Sequence, residues 1–322
     1  MKKRLLSAVF AAIFLLTACG QSAPVGQTED KLTIVCTTYP VYLFANAVTE
    51  GVDGVEVLRL DTGSTSCLHD YNLTVNDMKK IERADVLALS GAGLEEFMED
   101  ALATSDARII DCSEGVELLE NEGHHHEEEA EEDDHGHDGH DHGHFDPHYW
   151  MDPWNCRTMA RNLADGLIAL DQERAELYER NWEDAEILCR TVHHNLENMT
   201  RDVEISGLIT FHDGFRYFAH AYDLPLLESI EEEAGSEASA KEIVEITALI
   251  REYDIPVIFT EVNGSDATAK AVTRETGCTI AQLSMLMDGP DEYYLRNYLE
   301  TMLSNMAAII NGFAGEEVVT PV

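Results

Sequence analysis

The chain has 322 residues and a formal net charge of −41 at pH 7, from 62 acidic and 21 basic side chains. Such an excess of negative charge argues against nucleic-acid binding, because few basic groups are available to neutralise phosphates, and it favours a cationic ligand. About 290 residues remain after a short leader and tether, which is enough for two domains of ordinary size with cores of their own.

The first residues predict an exported protein. A basic start, Met1–Arg4, is followed by an apolar run over 5–16 that is too short to span a bilayer as a helix. The run ends in "LTAC", which resembles a bacterial lipoprotein signal in which residues 1–18 are removed and Cys19 carries the lipid. An ordinary secretory signal with an incidental cysteine is the alternative. Residues 19–30 are small and polar, which predicts a flexible tether.

The next part of the chain alternates between strand and helix patterns. Short β-rich runs occupy 32–36, 54–60, 84–90 and 107–111, and helical patterns lie between them at 40–50, 75–82 and 94–103. This βαβα order predicts a parallel sheet covered by helices on both faces. The predicted first lobe spans residues 31–172.

Two helical patterns follow, at 156–170 and 175–199, before the alternation resumes. The second is long and has one apolar face, so we interpret residues 173–202 as a connecting helix. Strands are then predicted at 204–211, 256–261 and 278–283, with helices at 214–222, 240–253, 265–276 and 292–311. The predicted fold is therefore α/β, with a second lobe over 203–322 and a ligand site in the cleft between the lobes. No segment after the leader is long and apolar enough to cross a membrane.

Six cysteines follow Cys19, and their spacing contains no Cys-x-x-Cys pair: Cys36, Cys67, Cys112, Cys156, Cys189 and Cys278. An even number outside the cytoplasm permits disulfides without fixing their connectivity. Free buried thiols are the alternative.

A histidine- and acid-rich loop over 121–144 interrupts the first lobe. Its eight histidines are His124, His125, His126, His135, His137, His140, His142 and His144. The loop has almost no apolar content, so it cannot bury enough surface to offset chain entropy, and disorder in the absence of metal is predicted. We interpret it as an accessory collector of metal ions. A solvating linker is the alternative.

Three histidines outside the cluster are candidate metal ligands: His69, His148 and His212. Open α/β sheets bind ligands beyond the carboxyl ends of their strands, and these histidines bracket the predicted cleft. Neutral imidazoles suit zinc, for which three protein ligands and an open fourth position form an established arrangement. Neighbouring carboxylates could orient the rings, namely Asp70, Asp146, Asp152 and Asp213. Each histidine taken alone is better explained by a structural hydrogen bond.

At these residues the chain resembles the zinc- and manganese-binding solute-binding proteins of bacterial ABC transporters, the ZnuA/TroA-like family. The matching segments include "LHDYNLT", "DPHYWMDP", "YERNWEDAEILCR" and "TFHDGFRYFAHAYDLP", and the resemblance runs from about residue 31 to 311. It implies that His69, His148 and His212 bind the metal. It also implies Zn²⁺ rather than Mn²⁺, because manganese members usually carry glutamate at the position of His212, and a histidine-rich loop is a feature of zinc members.

The chain departs from the family pattern in two places. The segment before His69 reads "TGSTSCLH" where the family is usually rich in proline and glycine, and Ser284 stands where many members supply an aspartate. Serine is a poor zinc ligand, so the fourth ligand is left open between water, a loop histidine and a nearby carboxylate.

The resemblance implies a monomeric, lipid-anchored protein outside the cytoplasm that delivers Zn²⁺ to an ABC-type permease and its ATPase. A manganese-binding member, a surface zinc buffer or adhesin, and a zinc hydrolase are the alternatives. The sequence lacks an HExxH motif and any glutamate placed as a general base, which argues against an enzyme. Other notable side chains are expected to be solvated (His193 and His194) or structural (His220, Trp150, Trp154 and Trp182).

Overall fold

The computed structural model describes residues 31–62, 68, 71–121, 144–230, 239–262, 264–292 and 294–320. Several predicted features lie outside these residues, namely Cys19, Cys67, His69, Asp70 and the loop histidines other than His144.

The first lobe is built on a four-stranded parallel sheet. Its strands are β1 (Leu32–Cys36), β2 (Val55–Arg59), β3 (Val86–Leu89) and β4 (Arg108–Asp111), in the order β2-β1-β3-β4. The helices are α1 (Tyr39–Val48), α2 (Val75–Glu82) and α3 (Glu99–Thr104). The prediction of a parallel sheet with crossover helices is confirmed for this lobe.

The prediction of a helix over 94–103 is wrong for the first half of that range. Leu94–Met98 forms a 3₁₀ turn, and α3 begins only at Glu99. Gly93 enters the turn in the left-handed region at φ 86°, and Glu95 departs from helical geometry at φ −91° and ψ 25°. The Glu95 carboxylate accepts hydrogen bonds from the backbone N–H groups of Ser90 and Gly91, and this contact tightens the turn.

The second lobe repeats the arrangement with another parallel sheet. Its strands are β5 (Leu208–Thr210), β6 (Leu226–Ser229), β7 (Val257–Glu261) and β8 (Thr279–Leu283), in the order β6-β5-β7-β8. The helices are α6 (Arg216–Ala221), α7 (Ala240–Glu252), α8 (Ala267–Thr276) and α9 (Tyr294–Ala314). β6 was not predicted, because this four-residue edge strand is half-buried throughout and lacks a clear apolar pattern.

Two helices join the sheets, α4 (Pro153–Leu170) and α5 (Ala175–Thr200). The long helix predicted at 175–199 is confirmed, and it packs against α4, α1 and α9. Asp152 caps α4 by accepting a hydrogen bond from Trp154 N at 2.8 Å, with Pro153 as the first helical residue. Within the described residues, no helix has the length and apolarity of a membrane span.

A single hydrophobic core extends across both lobes, and we call it the shared core. It contains Ile34 and Val86 from the first sheet and Leu208, Val257 and Phe259 from the second, with the side chains Phe44, Trp150 and Tyr298 between them. Each lobe adds a smaller cluster on the far side of its sheet. The lobes are therefore not separate hydrophobic units.

The described cysteines are all free thiols: Cys36, Cys112, Cys156, Cys189 and Cys278. The first four are buried, and burial raises the pKa of each of these thiols above its ordinary value. The sequence left open whether the cysteines form disulfides or remain free thiols, and these five are free thiols.

Glu95 is a buried carboxyl group at the carboxyl end of the first sheet. Its carboxylate accepts from Thr37 Oγ1 at 2.6 Å, Ser90 N at 2.7 Å and Gly91 N at 3.0 Å. Burial raises the pKa of Glu95 to about 7, although these hydrogen bonds act in the opposite direction. The folded protein therefore binds a proton more tightly at this carboxyl than the unfolded chain does.

We expect this carboxyl to make the free energy of unfolding fall as pH rises from 4.5 to about 7. In that interval the native Glu95 keeps a proton that the unfolded chain, with an ordinary value of 4.5, has released. The contribution is about 3 kcal/mol. Glu95→Gln should reduce the dependence of the free energy of unfolding on pH in this interval, as measured by urea unfolding at several pH values. Glu96→Gln, at an exposed neighbour, should leave that dependence unchanged. If the free energy of unfolding of Glu95→Gln depended on pH as that of the wild type does, Glu95 would not be the group with the raised pKa.

Candidate metal centre

His148 lies in the segment that leads into α4, immediately before a 3₁₀ turn over Tyr149–Met151. Asp146 holds it in place with one oxygen, Oδ1, which accepts from His148 N at 2.9 Å and lies 2.8 Å from His148 Nδ1. Both side chains are buried. With Nδ1 facing a carboxylate, the coordinating nitrogen of His148 would be Nε2, which is the arrangement commonly seen for metal-binding histidines.

The two predicted carboxylate neighbours of His148 have different roles. Asp146 contacts the imidazole as expected. Asp152 does not, because it caps α4 and its Oδ1 lies 3.7 Å from Nδ1 of His193 on α5. Burial raises the pKa of the Asp152 carboxyl, and the Trp154 N–H and the nearby His193 and His220 partly oppose this.

His212 follows the end of β5 and is also buried. Its ring centroid lies 5.9 Å from that of His148, with the ring planes at 87°. Two imidazoles bound to one tetrahedral zinc, at Zn–N distances of about 2.0–2.1 Å, have centroids about 5 Å apart. The structure therefore brings a histidine from each half of the chain to within an ångström or so of the separation that a shared metal ion needs.

An apolar wall lies beside the two imidazoles. The Trp150 ring meets His148 edge to face at 5.3 Å, and Trp150 Nε1 donates to Met285 O at 2.9 Å. A Cβ on Gly214 would meet the Met285 side chain and lie 3.4 Å from His148 Cδ2, so a larger residue here would have to displace the Met285 side chain. Trp150, which is fully buried, thus packs against one side of the His148 ring.

Glu261 is a buried carboxyl group at the end of β7 that was not singled out from the sequence. It ends β7, is 2% exposed, and lies beside the His212 chain in the sheet. Thr210 pairs with Phe259, and two residues beyond this pair are His212 and Glu261. A glutamate at the end of an apolar strand, in "PVIFTE", was the available signal. Ser284, by contrast, uses its hydroxyl to accept from Leu286 N at 3.2 Å.

The remaining histidines of the described residues differ in their exposure to solvent. His194 is exposed as expected, whereas His193 is half-buried against Trp154 and Tyr222, contrary to the expectation that it is solvated. His220 is exposed on α6. Within the described residues, no three His, Cys, Asp or Glu side chains form a metal-binding group, so the described part of the site supplies the pair His148 and His212.

Comparison with known proteins gives a consistent set of relatives. The family model described as zinc-uptake complex component A, periplasmic (ZnuA) matches residues 34–312. The zinc-binding protein AdcA of Streptococcus pyogenes serotype M3 is 28% identical over 318 residues, which cover 94% of this chain and 61% of the relative. The chain thus spans about three fifths of the length of that relative.

A second relative is matched over nearly its whole length. The high-affinity zinc uptake system protein ZnuA of Bacillus subtilis is 27% identical over 311 residues, which cover 94% of this chain and 95% of that protein. Among solved structures, a crystal structure of ZnuA superimposes with a TM-score of 0.71 at 24% identity, covering 89% of this chain and 100% of that one. The structural likeness supports the two-lobed α/β fold.

Proposed function

The chain belongs to the ZnuA family of periplasmic zinc-uptake components, and from this premise we propose that it captures Zn²⁺ outside the cytoplasm and delivers it to the permease of an ABC-type importer. The observation that carries the proposal is the buried pair of imidazoles, His148 before α4 and His212 after β5, with ring centroids 5.9 Å apart. Two relatives named for zinc binding or zinc uptake, from Streptococcus pyogenes and Bacillus subtilis, support the same ligand. The protein would act as a carrier and not as an enzyme.

His69 would supply the third imidazole. The family resemblance assigns it this role, and the segment containing it follows β2 at the carboxyl edge of the first sheet, where ligands of open α/β sheets bind. The fourth position would be taken by water or by a carboxylate.

Zinc is favoured over manganese by the donor atoms of the site. Imidazole nitrogens suit Zn²⁺, whereas Mn²⁺ favours carboxylate and water oxygens. The test is metal analysis of protein purified without a tag, followed by competition between Zn²⁺ and Mn²⁺ under anaerobic conditions. We expect one tightly bound zinc per chain that excess manganese does not displace. Preferential retention of manganese would assign the protein to manganese uptake instead.

We further propose that Cys19 anchors the protein to the cell membrane through a lipid and that the permease and its ATPase are the partners. The sequence "LTAC" supports the anchor, and the description of the family as a component of a zinc-uptake complex supports the partners. Membrane fractionation of cells expressing Cys19→Ala tests the anchor. Protein that stays in the membrane fraction after this substitution would contradict it.

The histidine-rich loop would be an accessory to the cleft site. The described residues at its two ends are joined: Asn121 N donates to His144 O at 3.1 Å, and Glu120 and Phe145 form an antiparallel bridge. Arg216 Nη1 donates to Glu120 O at 2.8 Å and fixes this junction to the second lobe. The intervening residues can therefore be removed without separating the ends.

We expect replacement of residues 122–143 by an Asn-Gly turn to leave one tight Zn²⁺ site, to remove weaker sites, and to change the melting temperature little. The junction already has the antiparallel pairing that a two-residue turn closes, and flexible histidines lose entropy on ordering, so their sites should be weaker than the cleft. Calorimetric titration of both proteins with Zn²⁺ makes the comparison. Loss of the tight site would mean that the loop supplies an essential ligand.

A further inference from the structure

Tyr217 is a buried side chain in the first turn of α6, five residues after His212. Its hydroxyl accepts a hydrogen bond from Leu119 N at 2.8 Å and donates one to Asp146 O at 2.9 Å. Burial raises the pKa of this phenol above its ordinary value, although the Leu119 N–H opposes the rise. The hydroxyl therefore keeps the proton that it donates to Asp146.

The two backbone groups that Tyr217 contacts belong to one antiparallel pair. Asp146 N donates to Leu119 O at 2.9 Å. Their neighbours, Glu120 and Phe145, form the antiparallel bridge at the foot of the histidine-rich loop. In a regular pair the other N–H would bond directly to the opposite carbonyl. Here the Tyr217 hydroxyl lies between those two groups and bonds to both, so a side chain of the second lobe closes a pair of the first.

Asp146 connects this pair to His148. Its backbone N–H donates to Leu119 and its carbonyl accepts from Tyr217. Its carboxylate oxygen Oδ1 lies 2.9 Å from His148 N and 2.8 Å from His148 Nδ1. Rotation of the Asp146 backbone would move Oδ1 away from the imidazole. The direction in which His148 presents Nε2 therefore depends on how the Asp146 backbone is held.

The chain that leads into α6 carries the other proposed ligand. His212 follows β5, and its carbonyl accepts from Thr210 Oγ1 at 3.1 Å. Between His212 and Tyr217, Gly214 lies so near His148 that a Cβ on it would be 3.4 Å from His148 Cδ2. The helix α6 also packs against the 3₁₀ turn that follows His148. One hydroxyl thus links the segment carrying His148 to the segment carrying His212.

We propose that Tyr217 is a positioning residue for the metal site, an inference that rests on the proposed binding of Zn²⁺ by His148 and His212. It fixes Asp146, and through Asp146 the ring of His148, relative to the chain that carries His212. Two ligands held at a fixed separation lose less entropy when the metal arrives, so affinity rises without a further contact to the ion. Tyr217 itself does not bind the metal.

The first test is Tyr217→Phe, which removes the hydroxyl and keeps the buried ring. We expect Zn²⁺ affinity, measured by chelator competition, to fall about tenfold, the lower end of the loss seen when an outer-shell partner is removed. Tyr39→Phe is the matched control, because Tyr39 is also buried and its hydroxyl also joins the two lobes. That hydroxyl accepts from Asn297 Nδ2 at 3.2 Å and donates to Pro290 O at 2.9 Å. The control should keep wild-type affinity.

Two further measurements separate positioning from a general loss of stability. Each substitution removes a hydroxyl that accepts one hydrogen bond and donates one, so we expect similar shifts of the urea-unfolding midpoint in the two apo-variants. Only Tyr217→Phe should alter the absorption spectrum of protein loaded with one equivalent of Co²⁺, because this spectrum reports ligand geometry. Equal losses of zinc affinity in Tyr217→Phe and Tyr39→Phe would show a purely structural role and overturn the proposal.

A double-mutant cycle tests whether Tyr217 acts through Asp146. Asp146→Ala removes the carboxylate that contacts His148 but keeps the carbonyl that accepts from Tyr217. Adding Tyr217→Phe to this variant should change zinc affinity by no more than about twofold, whereas independent effects would multiply. A further tenfold loss would overturn the proposed route.

Wild-type affinity and Co²⁺ spectrum in Tyr217→Phe would likewise overturn the positioning role. A wild-type protein that does not bind zinc would overturn the proposed function instead. So would His148→Ala and His212→Ala variants that bind zinc normally.

Discussion

Replacing His212 with alanine is expected to weaken Zn²⁺ binding by more than about 100-fold, whereas replacing His220 should change it little. His212 is buried at the end of β5 and faces His148 across 5.9 Å. His220 lies eight positions further along, exposed on α6. The loss should exceed the 10–100-fold effect of removing an outer-shell partner, because His212 is proposed to bind the ion directly.

The comparison is best made in protein lacking residues 122–143, so that loop histidines cannot mask the change. Chelator competition gives the affinity of the parent, and calorimetric titration gives that of the weakened variant. His148→Ala should match His212→Ala, since both imidazoles would bind the same ion. Equal and small losses for His212→Ala and His220→Ala would remove His212 from the site.

Trp150→Ala is expected to lower the free energy of unfolding by about 3–5 kcal/mol, the usual cost of truncating a large buried aromatic side chain. Trp150 is fully buried in the shared core. Its indole N–H donates to Met285 O and its own carbonyl accepts from Tyr298 OH at 2.9 Å, so it joins the segment carrying His148 to the second lobe. Zinc affinity should fall as well, because the ring packs against His148.

Trp154→Ala is the control for this prediction. Trp154 lies four residues away but is 48% exposed, and its ring stacks with the Arg157 guanidinium at 4.1 Å. Its truncation should cost no more than about 1 kcal/mol, as is usual for a contact of this kind at the surface. Urea unfolding of both apo-variants provides the measurement. Similar losses for the two tryptophans would show that Trp150 does not anchor the lobes.

The sequence was sufficient for elements with strong periodicity and clear boundaries. β1 and α2 match their predicted bounds at both ends. The strand β6 was missed because four half-buried residues at a sheet edge produce no apolar run. The break before α3 was missed because it depends on hydrogen bonds that the Glu95 side chain makes to the preceding turn.

Parts of the candidate site depend on contacts that spacing does not reveal. His148 and His212 were predictable because each follows a recognisable pattern in the chain, and Asp146 because it lies two residues from His148. The buried position of Glu261 depends on the pairing of β5 with β7. Asp77 on α2 accepts a hydrogen bond from Asp61 N, 16 residues earlier in the chain. Such relations arise from the register of strands and the path of loops, which a single sequence leaves undetermined.

The shared core also determines how bound zinc affects the stability of the two lobes. Because apolar residues of both sheets belong to one cluster, neither lobe can unfold without exposing surface that the other buries. The protein should therefore melt as one cooperative unit, and zinc bound at the cleft would stabilise the whole chain by about 4 kcal/mol at a free concentration a thousandfold above Kd. Resistance to proteolysis throughout both lobes would then report whether the carrier is loaded.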